Sequence, residues 1–557
     1  MKKKISILLA KAVGQKWRSL IELTVSKNSE HGDFSSNLAM KLAGNLKQNP
    51  MTIAQDLAKK IKLPDYLKKI KIAKPGYLNF FLKEKVYLDN LEQILKDKDA
   101  FGQGKVYKGQ RIMIEFAHPN PFKMMHIGHL RNITLGESLV RLFEAQGATV
   151  IRANYQGDVG MHVAKCVWAM NKVSQKSFPT ETNDRVAFLG QCYFEGARVY
   201  EEDEKGKAEI MEINRKIYNR TDSQITKLWQ LGVAWSLDKF HQLYSRVDSH
   251  FDREYMESET LPFIDQEIKT AIKKGILTKS QGALIFDGKK YGIDTRVYLT
   301  KEGLPTYEGK QLGLVVPMEF KDFGKLNKLI FNVAVEQISY FKSTIKVIEL
   351  MHPQYKGIQY HNAYEFVGLK SGKMSSRKGQ VVTAESILDE AHTHIKRIVT
   401  KNKAKLTEKE IDDIAVAAVK YAYLKISPFK YLAFDLKASI SFSGDSGPYL
   451  QYTYARVMSI LRKNNSVKKS TQIKINSEEK QLLQKLLQFN ETIENAVMAY
   501  SPNYLATYLN DLAQLFNNFY SKHRVIGNLF RIKLAEGVAQ VIKNGLYLLG
   551  IKTLEQM

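Results

Sequence analysis

The stretch RIMIEFAHPNPFKMMHIGHLRNITLGESLVRLFEAQGATVIRANY, residues 111–155, decides the fold class of the chain. It begins with an apolar segment typical of a buried strand. A polar loop and an amphipathic helical segment ending near Gly147 follow, and the stretch closes on a second strand-like segment. A strand, a helix and a second strand in this order predict a βαβ unit and therefore a parallel sheet. Ligands of such sheets bind beyond the carboxyl ends of the strands, where the loop PNPFKMMHIGHLRN, residues 119–132, is expected to lie.

The rest of the chain predicts further domains, since 557 residues exceed what a single core usually holds. Residues 1 to about 100 combine helix signals with the aromatic, strand-like GYLNFFL, residues 76–82, and predict a small α+β unit. From about Leu406 to the end the pattern is almost wholly helical, most clearly in SPNYLATYLNDLAQLFNNFY, residues 501–520. We therefore expect three domains, over residues 1–100, 105–387 and 388–557.

The charge balance indicates the class of partner. The chain has 84 Lys and Arg against 57 Asp and Glu, a net charge of +27, which favours nucleic acid, although a lysine-rich genome would give the same excess. Two cysteines, Cys166 and Cys192, are too few for a disulfide framework or a cysteine zinc site and fit a reducing compartment. The apolar run near the start is short and interrupted by Lys11, and no stretch reaches membrane-spanning length. We expect a cytoplasmic protein that does not associate with a membrane.

His126 and His129 in the loop could bind a metal, bind a phosphate or cap the helix that follows. A zinc site needs three or four ligands, and the loop adds only His118, with no HExxH pattern, so we predict no metal site. A helix start presents unpaired N–H groups and a positive dipole end, which favour an anion to which imidazoles can donate. Gly128 leaves room for a nucleotide and Lys123 adds positive charge. We favour phosphate binding over simple capping because the pair lies at a strand-to-helix turn.

A second basic segment, LKSGKMSSRKGQVV at residues 369–382, lies between two strand-like stretches. Alone it is as compatible with a solvated lysine patch as with a clamp for a triphosphate. Together with the histidine loop it predicts ATP binding. Its basic residues are Lys370, Lys373, Arg377 and Lys378.

HIGH at residues 126–129 and KMSSRKG at residues 373–379 resemble the two signature motifs of class I aminoacyl-tRNA synthetases. Further segments resemble the arginyl-tRNA synthetases in order and spacing: EHGDFSSNLAMKLA (30–43), EFAHPNPFKMMHIGHLRN (115–132), NYQGDVGMHVAK (154–165), SGPYLQYTYARVMSILRK (446–463) and LNDLAQLFNNFYSKHRV (509–525). The resemblance implies a Rossmann-type parallel-sheet catalytic domain, a small α+β N-terminal domain that contacts tRNA, and an all-helical anticodon-binding domain. It also implies a monomer that activates L-arginine with ATP and Mg²⁺, without a dedicated metal site, and transfers the arginine to the 3′ end of tRNA.

The resemblance assigns ATP to the two signature motifs. The catalytic and ATP-binding residues that it implies are Lys123, His126, Gly128, His129, Lys373, Met374, Ser375 and Lys378. Ser376 stands where the second motif usually has a lysine, and Val159 stands where the GDWG segment usually has tryptophan. We therefore expect Lys123 or Lys378 to supply the charge that is absent at Ser376.

Arginine recognition requires carboxylates, because a guanidinium group is bound by bidentate acceptors. The substrate-binding residues implied by the resemblance are Asn120 and Gln337 for the α-amino group, and Glu115, Glu257, Tyr307 and Gln311 for the rest of the pocket, with Glu257 and Tyr307 at the guanidinium. Gln311 stands where the family commonly has aspartate. We expect the missing charge contact to shift to Glu308 or Glu115.

The remaining predicted site residues contact RNA. Tyr449, Tyr452 and Arg456 are spaced to share one helix face, and such a face can stack on unpaired bases, although half-buried packing would give the same pattern. The resemblance places this face at the anticodon. It places Asn37 and Asn79 near the elbow of the tRNA.

Three alternative functions remain open at this point. The first is a class I synthetase for another amino acid, although there is no room for a large editing insertion between Asn154 and Phe366 and the zinc ligands of the cysteine enzyme are missing. The second is a small nucleotidyltransferase, which would not need a basic helical half. The third is a non-catalytic RNA-binding protein that has kept the fold, which the retained Lys123, His126 and His129 disfavour.

Overall fold

The computed structural model of the protein describes residues 1–26, 29–370, 382–463 and 475–557. Within them the chain forms two compact units. The first unit is built from residues 1–101, 463–489 and 515–541, and the second from residues 102–462, 490–514 and 542–557.

The strands of the described residues are β1 (Thr24–Val25), β2 (Phe34–Ser36), β3 (Leu67–Ala73), β4 (Tyr77–Leu82), β5 (Arg111–Glu115), β6 (Thr149–Gln156), β7 (Arg253–Met256), β8 (Thr278–Ser280), β9 (Ala283–Phe286), β10 (Arg296–Leu299), β11 (Lys328–Ala334), β12 (Gln359–Tyr364), β13 (Val367–Leu369) and β14 (Leu432–Phe434). The helices are α1 (Lys2–Val13), α2 (Leu38–Leu46), α3 (Pro50–Lys60), α4 (Glu84–Asp97), α5 (Ile127–Ala145), α6 (Met161–Asn171), α7 (Thr182–Glu202), α8 (Glu204–Asn219), α9 (Ser223–Arg246), α10 (Glu257–Lys273), α11 (Tyr307–Leu314), α12 (Phe320–Asp322), α13 (Ile338–Met351), α14 (Ala384–Lys401), α15 (Glu408–Leu424), α16 (Leu436–Ser439), α17 (Gly447–Arg462), α18 (Ser477–Leu486), α19 (Phe489–Met498), α20 (Asn503–Lys522) and α21 (Leu529–Leu548).

The second unit is organised around a parallel sheet. In the part of the chain that the structure describes, its five strands lie in the order β12-β11-β5-β6-β7, and every neighbouring pair is parallel. Chain order therefore runs outward from β5 in one direction and from β11 in the other. This arrangement is that of a doubly wound Rossmann-type sheet, with its switch point between β5 and β11. The predicted parallel sheet is confirmed, and its switch point lies at the end of β5, where the histidine loop begins.

Helix α5 follows that loop and is more deeply buried than an amphipathic surface helix. Polar residues on α5 lie in the interior, where they are paired. Glu137 accepts hydrogen bonds from Arg141 (2.8 Å) and from Arg152 of β6 (3.2 Å). Each of these side chains is at most 9% exposed. The charges therefore pair inside the unit, and they tie the middle of α5 to β6.

Smaller sheets complete the second unit. Among the described residues, β8, β9 and β10 form an antiparallel sheet, and β13 pairs with β14 in parallel. Strand β14 is a three-residue exception to the helical pattern predicted beyond Leu406, which helices α15 to α21 confirm. The basic segment that begins at Leu369 is followed by helix α14, rather than by a second strand as its sequence indicated.

The first unit is α+β, as its sequence predicts. Its antiparallel sheet has the order β1-β2-β4-β3, and the predicted strand GYLNFFL forms β4. Pro50 occupies the first position of α3, and the Asn49 side chain caps this helix by accepting from the Met51 N–H at 2.8 Å. The core of the sheet is formed by buried residues such as Leu78 and Phe80.

None of the described helices combines the length and the apolar character that a bilayer span requires.

Candidate active site

The loop between β5 and α5 has an unusual backbone that buried asparagines hold in place. Ala117 (φ 78°), His118 (φ 52°) and Phe122 (φ 67°) lie in the left-handed region, which is costly for residues other than glycine. The Ala117 N–H donates to Asn132 Oδ1 and the His118 N–H donates to Asn154 Oδ1, each at 3.1 Å. These bonds fix the loop before any ligand binds. Sequence reasoning missed both asparagines, because a helix and a strand pattern gives no sign of an amide that turns inward.

His126 and His129 cap helix α5 reciprocally. His126 is the N-cap residue, and its Nδ1 accepts from the Gly128 N–H at 3.0 Å. His129 Nδ1 accepts from the His126 N–H at 3.1 Å. The two rings are in contact, with centroids 3.9 Å apart and planes tilted by 31°. The capping role and the phosphate-binding role therefore do not exclude each other, since capping uses one nitrogen of each ring.

The capping bonds also determine which nitrogen carries the proton. A backbone N–H can only donate, so each Nδ1 is unprotonated and the neutral ring carries its hydrogen on Nε2. Burial, followed by the charges of His126, His118 and Lys123, lowers the pKa of His129 to about 3. Burial and Lys123 also lower the pKa of His126. Both imidazoles are therefore neutral near pH 7, and each carries an Nε2–H donor that the cap does not use.

The second signature segment is anchored beside the first. Its residues Lys373, Met374, Ser375, Ser376 and Lys378 lie outside the described residues. Its carboxyl flank is described: Thr383 forms an antiparallel bridge with His126, and the Ala384 N–H donates to the Met125 carbonyl at 2.9 Å. The residues that follow the second motif in the chain, Thr383 and Ala384, therefore pair with the first motif.

Arg131 connects α5 to the flank on the other side of that segment. Its buried guanidinium, 2% exposed, donates to the carbonyls of Phe366 (2.9 Å), Pro428 (3.3 Å) and Lys430 (3.2 Å). Phe366 directly precedes β13, which runs into the second motif, while Pro428 and Lys430 precede β14. Arg131 thus ties the support of the second motif to the first. Its position inside a helix pattern gave no indication of this role.

Lys123 lies in the same loop as the histidines and is exposed. Its Nζ is 5.8 Å from the centroid of the Tyr193 ring. Partial burial and the neighbouring Lys165 lower the pKa of Lys123. A charge in this position is close enough to the histidines to lower their pKa values, and it is available to an anion bound there.

Asn120 and Glu257 are brought together at Gly157. The Gly157 N–H donates to Asn120 Oδ1 at 3.1 Å. A Cβ at Gly157 would lie 2.6 Å from Asn120 Oδ1 and 3.0 Å from Glu257 Oε2, so only glycine allows this approach. Glu257 is 4% exposed, and burial raises its pKa while Lys310 opposes that rise. Two residues predicted to bind opposite ends of arginine therefore line one pocket at the carboxyl end of β6.

Lys310 is a pocket residue that the sequence did not single out. Its ammonium donates to Glu257 Oε1 and, at 3.2 Å, to the Tyr218 hydroxyl. It also lies 5.5 Å from the ring centroid of Tyr307, which is 73% exposed. Tyr307 is thus linked to a carboxylate through Lys310. This ion pair could not be predicted from sequence, because Glu257 and Lys310 are more than fifty residues apart in the chain.

Gln311 is buried, with 2% of its surface exposed. Its Oε1 accepts from the Tyr340 hydroxyl at 2.7 Å, while its Nε2 has no hydrogen-bond partner among the described residues. Glu308, one of the expected replacements for the missing aspartate, lies 3.4 Å from Arg296. Gln337 ends the short turn that follows β11, and one helical turn later Tyr340 reaches Gln311. Gln311 is therefore held by Tyr340, which lies three residues after Gln337, and it carries no charge.

Glu115, the other expected replacement, belongs to a buried acid pair. It is 2% exposed, and its Oε1 lies 3.7 Å from His118 Nδ1. Its neighbour Glu319 is fully buried at the end of a π-helical turn, Val315–Glu319. Burial and the adjacent Glu115 carboxyl raise the pKa of Glu319 well above its usual value, so Glu319 holds its proton. Sequence reasoning missed Glu319, because nothing local to its helix indicates the partner.

The predicted RNA contacts are placed on each unit separately. In the first unit Asn37 precedes α2, and Asn79 is buried in β4, where its Oδ1 accepts from the Ser35 hydroxyl at 2.7 Å. In the second unit Tyr449, Tyr452 and Arg456 are partly exposed on α17. The Arg456 guanidinium lies 4.7 Å from the Tyr452 ring centroid and donates to its hydroxyl at 3.1 Å.

Among the residues that the structure describes, no three His, Cys, Asp or Glu side chains are grouped so that they could hold a metal ion. ATP-bound Mg²⁺ does not require such a group, since it is held largely by phosphate oxygens and water.

Comparisons with known proteins agree with this geometry. The family model described as "tRNA synthetases class I (R), catalytic domain" matches residues 90–436. The models for the "Arginyl tRNA synthetase N terminal domain" and the "DALR anticodon binding domain" match residues 1–82 and 450–557.

Full-length relatives and solved structures extend the comparison. The chain is 31% identical to an arginine–tRNA ligase of Treponema denticola, with 96% of this chain and 95% of the relative covered. It is 30% identical to that of Borreliella afzelii, with coverage of 100% and 99%. The fold matches Thermus thermophilus arginyl-tRNA synthetase with a TM-score of 0.82 at 23% identity and the Plasmodium falciparum enzyme with 0.81 at 20%. Coverage is 100% of both chains for the first structure, and 100% of this chain and 99% of the other for the second. The chain therefore belongs to the arginyl-tRNA synthetase family of class I aminoacyl-tRNA synthetases.

Proposed function

We propose that the chain activates L-arginine with ATP and transfers it to the 3′ end of the tRNA for arginine. Its family membership supports this reaction. The observation that carries the proposal is the pair of neutral imidazoles whose Nε2–H groups the cap leaves unused, with His126 bridged to Thr383, which follows the second signature segment in the chain.

The first step joins a carboxylate oxygen of arginine to the α-phosphorus of ATP and breaks the bond to the leaving pyrophosphate. His126 and His129 donate Nε2–H bonds to phosphate oxygens, where negative charge builds up during the transfer. Neutral donors suit this task, because they are fixed by the helix cap and need no proton uptake. Mg²⁺ enters with ATP and balances the charge of its phosphates.

Positive charge on the phosphates is supplied by lysines of both motifs. We assign Lys123 to the first motif and Lys373 and Lys378 to the second, with Met374 and Ser375 lining the nucleotide. Lys123 lies beside the histidines and takes the place of the lysine absent at Ser376. The bridge at Thr383 supports this assignment, since it brings the end of the second motif to the first.

Arginine binds in the pocket around Gly157. Asn120 and Gln337 hold its α-amino group, and Glu257 and Tyr307 hold its guanidinium. The approach of Asn120 and Glu257 to Gly157 supports this placement. Glu115 contributes negative charge at the end of β5, while Gln311 forms part of the wall.

In the second step a ribose hydroxyl of the terminal adenosine attacks the carbonyl of arginyl-adenylate, and AMP leaves. Tyr449, Tyr452 and Arg456 bind the anticodon, and the region of Asn37 and Asn79 binds the tRNA elbow. The anticodon-binding family match and the basic net charge of +27 support an RNA partner. We assign the enzyme to the cytoplasm. We also assign it as a monomer, and light scattering of the purified chain would check its oligomeric state.

The test is aminoacylation of total tRNA with each amino acid, together with pyrophosphate exchange in the presence and absence of tRNA. Charging by arginine alone is expected. Charging by a different amino acid would overturn the proposal, and tRNA binding without any charging would identify a non-catalytic RNA-binding protein.

A further inference from the structure

The buried ion pair of Lys310 and Glu257 occupies the predicted arginine pocket. We infer that the Lys310 ammonium stands in for the guanidinium of arginine in the ligand-free chain and leaves Glu257 when arginine binds. This inference rests on the proposed function, in which Glu257 and Tyr307 bind that guanidinium. It makes Lys310 a specificity-determining residue rather than a part of the pocket wall.

The surroundings of the ammonium are those that a guanidinium group would need. Lys310 donates to the Glu257 carboxylate and to the Tyr218 hydroxyl at 3.2 Å. Its Nζ lies 5.8 Å from the ring centroid of Tyr218 and 5.5 Å from that of Tyr307. The side chains of Lys310 and Glu257 are 9% and 6% exposed. A carboxylate and aromatic rings around a desolvated cation form a general cation site, which an arginine side chain fills as well as a lysine does.

The carboxylate assigned to the incoming guanidinium is already paired in the ligand-free chain. Glu257 contacts the Lys310 ammonium, and the Gln311 amide at the next position of α11 carries no charge. Among the other described carboxylates nearby, Glu308 lies 3.4 Å from Arg296, and Asp158 accepts from the Ser258 N–H and hydroxyl at 2.8 Å and 2.7 Å. A second cation beside that ammonium would be repelled, so arginine binding requires the lysine to move.

Lys310 lies one turn from the exposed start of its helix. Tyr307, whose ring it approaches, begins the same helix and is 73% exposed. A lysine side chain is long and flexible, and its ammonium is strongly hydrated once released. The exchange keeps Glu257 paired with a cation in both states. It also disfavours an uncharged analogue such as citrulline, because displacement by a neutral group would leave a buried carboxylate without a counter-charge.

Isothermal titration of the full-length chain with L-arginine, without ATP or tRNA, tests the exchange. Lys310→Met removes the internal competitor and should lower the Kd for arginine by about tenfold, or about 1.4 kcal/mol. Lys310→Arg supplies a competitor with the head group of the substrate and should raise the Kd. Lys328→Met is the matched control: Lys328 donates to the Tyr500 hydroxyl at 2.7 Å and lies between tyrosine rings, but at the amino end of β11. It should leave the Kd unchanged.

A Lys310→Met chain that binds arginine as weakly as the wild type, or more weakly, overturns the inference and makes Lys310 a fixed support of Glu257. If Lys310→Met fails to fold, as judged by thermal melting, Lys310→Arg decides. Unchanged or tighter binding by that variant also overturns the inference. Failure of the wild type to bind arginine would instead overturn the proposed function, and so the two failures are distinguishable.

Discussion

Substitutions of His129 can separate its two roles, because the ring uses a different nitrogen for each. Nδ1 accepts from the His126 N–H at 3.1 Å, and the opposite Nε2–H is free to donate to a phosphate. Asparagine places an acceptor as many bonds from Cα as Nδ1, whereas glutamine can place an N–H donor as many bonds away as Nε2. His129→Asn therefore keeps an acceptor for the cap and loses the outer donor, whereas His129→Gln keeps an outer donor and, as a usual N3 residue of a capping box, can keep the cap as well.

Losing the donor should affect the catalytic rate, whereas losing the cap should affect the free energy of unfolding. Removing one hydrogen-bond donor to a developing negative charge typically costs about 2.7–4 kcal/mol, or roughly 10²–10³-fold in kcat. Losing an N-terminal cap costs about 0.5–2 kcal/mol in the free energy of unfolding. His129→Asn should therefore lose activity with nearly wild-type stability. His129→Gln should lose less activity and stay near wild-type stability, whereas His129→Ala, which has no side-chain acceptor, should lose about 1 kcal/mol of stability as well.

Pyrophosphate exchange with saturating arginine, ATP and tRNA measures the first effect, and urea denaturation of the same samples measures the second. Full activity in His129→Asn would refute the role of Nε2–H as a phosphate donor. A larger loss of activity in His129→Gln than in His129→Asn would refute it equally, since glutamine retains the outer donor.

Further predictions concern pH, the pocket and the supports of the site. The pKa of His129 is lowered to about 3, so the unfolded chain takes up a proton between pH 6.5 and 3 that the folded chain does not. The free energy of unfolding should therefore fall with acidification below pH 6.5, by up to about 1.4 kcal/mol per pH unit, and denaturation at pH 7 and 5 should show a smaller fall for His129→Asn. Gln311→Asp adds a buried carboxylate and should lower the stability of the free chain by about 1–3 kcal/mol while increasing the thermal shift caused by arginine; the shorter, neutral Gln311→Asn should not increase that shift. Arg131→Gln, which breaks charged hydrogen bonds to three carbonyls, should cost about 1.5–3 kcal/mol of stability and raise the KM for ATP; an unchanged KM would contradict its role in supporting the second motif. Arg456→Ala should weaken tRNA binding by about 1–3 kcal/mol, which steady-state charging would detect as a higher KM for tRNA. It should leave the Kd for arginine, measured by titration, unchanged.

The sequence predicted the elements whose residues are close in the chain. The strand–loop–helix–strand pattern from Arg111 onward predicted the parallel sheet correctly, because apolar periodicity reports burial directly. It failed for β14, a three-residue strand whose pairing with β13 lies more than sixty positions away. A segment of that length carries too little periodicity to be distinguished from a helical surrounding.

The same limit applies to the site. The spacing of His126 and His129 indicated a helix start, and the structure shows how both roles of the pair are compatible. Lys310 and Glu319 could not be predicted, since each acquires its role from a partner distant in the chain. A buried charge is read from sequence as a surface charge until its partner is known.

The reciprocal cap of α5 has a consequence for the second step of the reaction. Because each Nδ1 accepts from a backbone N–H, neither ring can move its hydrogen inward to free Nε2 as a proton acceptor without breaking a capping bond. The two histidines are therefore unsuited to deprotonate the attacking ribose hydroxyl. The proton of that hydroxyl has to leave to another group, such as a phosphate oxygen of the adenylate itself, and neither His126 nor His129 is the base for ester formation.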